Sequence, residues 1–142
     1  MIRLLLLMIA FGLCQGVFAQ SSEMVVITHP DVTQQSVTQR QLRRIFMLKQ
    51  RSWSDGSPIS LIVLSSDNIE HAQFLRDQLK MFPYQLEREW NKLMYSGQSA
   101  PPIIATDTKN MLSLVSSTPG AVGYLVNSAP DSSVTVLEVI RP

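Results

Sequence analysis

Two rhythms of apolar residues alternate along this chain. The first is the short unbroken run: MVVIT at 24–28, ISLIVL at 59–64, AVGYLV at 121–126 and SVTVLEVI at 133–140. Runs of this length, rich in β-branched residues, predict buried strands; His29-Pro30 closes the first of them. The second rhythm is helical. TQRQLRRIFML puts Leu42, Ile45 and Phe46 on one face, and Thr38 with Gln41 has the spacing of a capping box. DNIEHAQFLRDQLKM repeats that spacing at Asp67 and Glu70 and carries Ile69, Phe74, Leu75 and Leu79. Pro83 suits the first turn of a third helix, YQLEREWNKLMY, with Leu86, Trp90, Leu93 and Met94 inward; SGQSAPP breaks it. A fourth helix starts near Thr106 and Asp107 and runs through Met111, Leu112, Leu114 and Val115. The predicted order is strand, helix, strand, three helices, strand, strand. It implies an α/β domain whose mainly parallel sheet is covered by helices on both faces.

The junction SSTPGAVGYL carries the densest turn chemistry. Pro119-Gly120 is a turn dipeptide, and Gly120 tolerates a positive φ that a β-branched residue resists. Gly123 sits inside an apolar strand, where a missing side chain predicts the close approach of another backbone. RSWSDGSP reads as a loop with one large aromatic. Trp53, Trp90 and Phe46 are expected to pack rather than to hold a ligand.

The first nineteen residues are not expected to belong to the fold. Arg3 precedes the apolar LLLLMIAFGL, and Val17-Phe18-Ala19 precedes Gln20, the pattern of a secretory signal peptide cleaved after Ala19. The apolar stretch is shorter than the ~20 residues of a spanning helix. Leu13 before Cys14 does not fit a lipoprotein signal. The domain is then 20–142, without a cysteine and therefore without disulfides, stabilised by one apolar core. Taking Arg3 from the twelve basic residues leaves eleven to balance eleven acidic ones. A neutral domain argues against nucleic acid. The local cluster Arg40, Arg43, Arg44, Lys49 and Arg51 reads as the solvated side of an amphipathic helix.

Catalytic and metal motifs are absent from the pattern. The two histidines, His29 and His71, are far apart and stand in no HExxH or Cys/His spacing, so neither a metal site nor a cofactor is implied. Glu87 and Glu89 lie at i and i+2 on one helix and face apart. No enzyme is expected. One constellation could bind a ligand: Ser65, Ser66 and Asn68 stand where a strand feeds a helix, whose free N–H groups attract anions. Asp67 competes for that place, with its carboxylate as the helix cap.

Taken in order, LRRIFMLKQRSWSDGSPI, HAQFL, SGQSAPP and VSSTPGAVGYL resemble the phosphate ABC-transporter substrate-binding family. In that family a helix ending in Ile-Phe precedes a Trp-containing loop, an Asp-Gly turn and a strand. Pro-Gly-Ala-Ile-Gly-Tyr follows later, matched here by Pro119, Gly120, Ala121, Val122, Gly123 and Tyr124. The resemblance implies a type 2 periplasmic-binding-protein lobe, located in the periplasm. Its partners would be phosphate or another oxyanion and a membrane transporter or periplasmic sensor. It also implies that the Pro-Gly turn and Gly123 join helix and sheet near the side facing a second lobe. The family's Arg and Gly-Ser-Gly-Thr after the second strand are replaced here by LSSDNIEHAQF, which lacks both glycines and the arginine and adds Asp67. Two readings follow: a single solute-binding-protein-like lobe with weak oxyanion binding, or an interaction or sensory-accessory module that kept the lobe and lost the ligand.

Overall fold

The computed structural model describes residues 23–142; the signal-peptide expectation lies outside the described residues. Six strands form one sheet in the order β2-β6-β1-β5-β3-β4. They are β1 (Met24–Thr28), β2 (Ser36–Thr38), β3 (Ser60–Leu64), β4 (Ile103–Ala105), β5 (Ala121–Val126) and β6 (Thr135–Ile140). β1 pairs antiparallel with both β5 and β6, while β2 with β6, β3 with β5 and β3 with β4 are parallel. Five strands therefore run one way and β1 runs against them, in keeping with a mainly parallel sheet. The short β2 and β4 have no counterpart in the sequence reading. Three residues are too few to show a period.

The helices are α1 (Gln39–Phe46), α2 (Ile69–Phe74), α3 (Pro83–Tyr95) and α4 (Thr108–Ser117). α2 continues into one π-helical stretch, Leu75–Leu79, which ends on Lys80 in the left-handed region at φ 54°. Thr38 caps α1 as its sequence implies: its side chain accepts the Gln41 N–H, and Gln41 accepts the Thr38 N–H. Pro83 stands at the first position of α3.

β5 shows how the layers are built, because all six of its residues are buried. Alternate side chains of a strand point to opposite faces. Tyr124 stacks on Phe74 at 4.0 Å and lies 5.9 Å from Phe46, so α1 and α2 cover its face. Gly123 turns the other way, toward Met111 and Val115 of α4. A Cβ on Gly123 would meet Met111 Sδ at 2.6 Å and Val115 Cγ2 at 2.9 Å. The close approach expected there is thus made by side chains of α4, with the nearest backbone atom, Ile62 O, at 3.6 Å. Gly120 is bound more tightly still: φ is +74°, and a Cβ would come within van der Waals overlap of Pro58 O.

Trp53, Trp90 and Phe46 are all buried. The Trp53 indole donates to Gly120 O at 3.0 Å, and Trp90 donates to Phe46 O at 2.6 Å. Each tryptophan satisfies its one donor while filling the core.

Candidate functional site

Because β2, β3 and β4 run the same way, α1, α2 and α4 all begin at one edge of the sheet, the edge where open α/β sheets place ligands. Ser65, Ser66 and Asn68 lie together there, in the turn between β3 and α2. Ser65 and Ser66 are exposed, and the Asn68 N–H donates to Ser65 O at 2.9 Å. Pro119 and Gly120 precede β5, whose Ala121 is in register with Ser60 at the start of β3. They sit at the opposite edge from Ser65, so the turn is not part of the same site. Tyr124 links the two regions: from mid-strand its hydroxyl accepts the Leu64 N–H at 3.0 Å.

Local hydrogen bonds engage the Ser65 hydroxyl, the Asn68 N–H and the first free donors of α2. Asn68 is the N-cap of α2, and its Oδ1 accepts the N–H groups of Glu70 at 2.8 Å and His71 at 3.4 Å. This corrects the expectation that Asp67 caps the helix. Asp67 precedes the cap and accepts the Ser65 hydroxyl at 2.6 Å. An amide one residue later in the chain reaches the second and third N–H groups that a carboxylate at 67 would have to stretch for. The neighbouring helix starts are closed in the same way, by Thr38 on α1 and by Asp107, whose Oδ1 accepts the Asn110 N–H at 2.7 Å. Thr108 Oγ1 donates to Glu70 Oε2 at 3.1 Å and ties α4 to α2.

Beneath this edge lies a buried polar pair that sequence reasoning passed over. His71 Nδ1 is 2.5 Å from Tyr124 Oη, and both residues are about 1 % exposed. Burial pulls the imidazole down to about 4, with Glu87 acting the other way, and pushes the Tyr124 phenol up. Pairing of a helix residue with a residue 53 positions later leaves no local trace in the sequence.

His29 directly follows β1, beside the Pro119-Gly120 turn. Its Nδ1 lies 2.7 Å from Asp31 Oδ1, which accepts the Gly120 N–H at 3.1 Å. That N–H, and then the histidine, hold the Asp31 carboxyl below its ordinary range. His29 is therefore a turn-fixing residue. Among the described residues no group of three or more His, Cys, Asp or Glu is placed to hold a metal ion.

Comparison with solved structures decides the architecture. A protein described as a phosphate ABC transporter substrate-binding protein from Clostridium perfringens, solved with bound phosphate, superposes with a TM-score of 0.67. It shares 20% identity over 83% of this chain and 45% of its own. The fold is that of one periplasmic-binding-protein lobe. An ABC-type phosphate transport receptor from Vibrio cholerae gives a TM-score of 0.62 at 16% identity, over 83% of this chain and 46% of its own. PstS from Borrelia burgdorferi gives 0.60 at 15% identity, over 83% and 47%. This lobe spans about half the length of each of these neighbours. No family model and no curated protein matches the sequence.

Proposed function

We propose that this binding-protein lobe is an exported, non-enzymatic interaction module whose anion seat is closed by its own side chains. The single observation that carries this is the Asn68 amide, which accepts the Glu70 and His71 N–H groups where an anion would bind. Asp67 adds a negative charge beside that position, and the Ser65 hydroxyl is already donated to it. A phosphate brought here would lose water without gaining the donors needed to replace it. In this reading residues 1–19 are a signal peptide removed after Ala19, residues 20–142 act in the periplasm, and the partner is a membrane transporter or a periplasmic sensor.

A second reading is favoured by position alone. Ser65, Ser66 and Asn68 stand at the ligand-bearing edge of a fold whose neighbour holds phosphate, which would make the lobe a weak oxyanion binder. Calorimetry separates the two. The interaction module gives no heat with phosphate or sulfate, whereas saturable heat that is lost on Ser66→Ala would establish the oxyanion binder.

A further inference from the structure

The solvated helix side predicted from Arg40, Arg43 and Arg44 is one wall of a groove of about 710 Å³. Its other wall is Ile140, the last residue of β6, with Arg141 and Pro142 beyond it, and Met47 and Lys49 continue the groove past α1. Among the described residues, five cationic side chains line this groove and no Asp or Glu side chain does. Lys49 is neutralised in part, 3.3 Å from Glu89, a carboxylate it shares with Lys92 at 3.5 Å. Arg40, Arg43, Arg44 and Arg141 have no ion-pair partner among the described residues. In a domain of nearly zero net charge, this is a segregation of charge.

The far wall is held in place. Arg141 Nη2 donates to Oε1 of Gln78 at 3.1 Å, and the Gln78 carbonyl accepts from Gln39 Nε2 at 2.7 Å. Gln78 is a buried polar residue inside the π-helical stretch Leu75–Leu79. Single π-helical turns within helices are frequently found at functional sites. Here the turn sets one glutamine between the first residue of α1 and the guanidinium across from it.

We infer that this groove binds an extended acidic segment of a partner protein, with carboxylates at alternate positions and apolar residues between them. The proposal deepens the reading of the chain as an interaction module and rests on it. The spacing carries the choice of ligand. Arg40 and Arg44 are one helical turn apart, a rise of roughly 6 Å. Alternate residues of an extended chain are about 6.6 Å apart, so successive carboxylates meet successive guanidiniums. Arginine forms paired bonds to carboxylates, while Met47 and the half-exposed Ile140 offer apolar surface to the intervening residues. A concave site with cations on both walls suits a strand of peptide better than the flat surface of a bilayer.

The test uses a short fluorescein-labelled peptide of alternating Glu and Leu, read by anisotropy, with phosphatidylglycerol vesicles as a second arm. Wild type binds the peptide, and binding weakens as salt is added. Arg40→Ala/Arg44→Ala weakens it about tenfold, whereas Arg88→Ala, an exposed arginine of α3 away from the groove, leaves it unchanged. Equal affinity in wild type and the double variant overturns the proposal. So does binding to the vesicles with none to the peptide. Phosphate heat at Ser66 would refute the interaction reading itself; absence of both phosphate heat and peptide binding would refute only the groove.

Discussion

The Tyr124 hydroxyl donates to His71 Nδ1 and accepts the Leu64 N–H, so β5, α2 and the end of β3 meet on one oxygen. The Leu64 N–H donates to the phenol oxygen, and the arrangement that also gives the phenol's own proton an acceptor sends it to the imidazole. In that arrangement His71 is neutral, as its lowered pKa requires, and carries its own proton on Nε2. The ring of Tyr124 is meanwhile stacked 4.0 Å from Phe74, nearly parallel at 8°. One side chain fills the core and satisfies two buried polar groups beneath the candidate site.

That arrangement makes stability depend on pH. The His71 imidazole falls from 6.5 to about 4 on folding, chiefly through burial. Between these values the unfolded chain binds a proton that the folded chain does not. Stability from this residue is complete above about pH 6.5 and declines as pH drops toward 4, by about 3 kcal/mol in total. Melting temperatures across that window should fall for wild type and stay flatter for His71→Leu. Equal slopes would show that the imidazole accepts a proton in the folded state.

Removing only the hydroxyl isolates its two bonds. Tyr124→Phe keeps the ring and its stacking but leaves the Leu64 N–H and His71 Nδ1 without their partner. Unpaired buried groups cost about 1–3 kcal/mol each, so urea unfolding should report a loss of about 2–3 kcal/mol after partial relaxation. A loss near zero would mean that water replaces the phenol.

Much of this was legible in the chain. Runs of five to eight residues rich in β-branched side chains became β1, β3, β5 and β6, and Thr38 with Gln41 closed α1 as their spacing required. What stayed hidden was non-local. β2 and β4 exist because β6 and β3 offer them a pairing edge. The cap of α2 passed from Asp67 to Asn68 through the geometry of one turn. The cationic groove needed Arg141, which the sequence places 97 residues from Arg44 and which only the pairing of β6 with β2 brings beside α1.

The two glycines of the PGAVG junction should differ in tolerance. Gly123→Ala drives a methyl against Met111 Sδ, the end of a flexible side chain, and against Val115; overpacking of this kind costs about 1–3 kcal/mol. Gly120→Ala adds a left-handed φ to a clash with the Pro58 carbonyl, which cannot swing aside. Thermal melts should therefore rank Gly120→Ala as the more destabilising. The reverse order would show that the 58–59 loop yields more easily than α4.

Thr28 supplies a stabilising change. Its Oγ1 is buried at the end of β1 and finds no hydrogen-bond partner among the described residues. Thr28→Val replaces the hydroxyl with a methyl of similar size in a β-branched frame suited to a strand. Relief of an unsatisfied group should raise stability by about 1 kcal/mol. A destabilised Thr28→Val would reveal that the hydroxyl is hydrogen-bonded in solution.

The start of α2 separates capping from charge. Asn68 Oδ1 holds two N–H groups, so Asn68→Ala should cost about 1 kcal/mol. Asp67 is exposed and receives only the Ser65 hydroxyl, so Asp67→Ala should leave the melting temperature nearly unchanged. The same pair bears on ligand binding. Asp67→Gly removes the negative charge and opens the backbone, yet Asn68 still occupies the Glu70 and His71 donors. Phosphate titrated into wild type and Asp67→Gly should give no heat in either. Heat in Asp67→Gly alone would show that the carboxylate, and not the asparagine cap, keeps anions from this edge of the lobe.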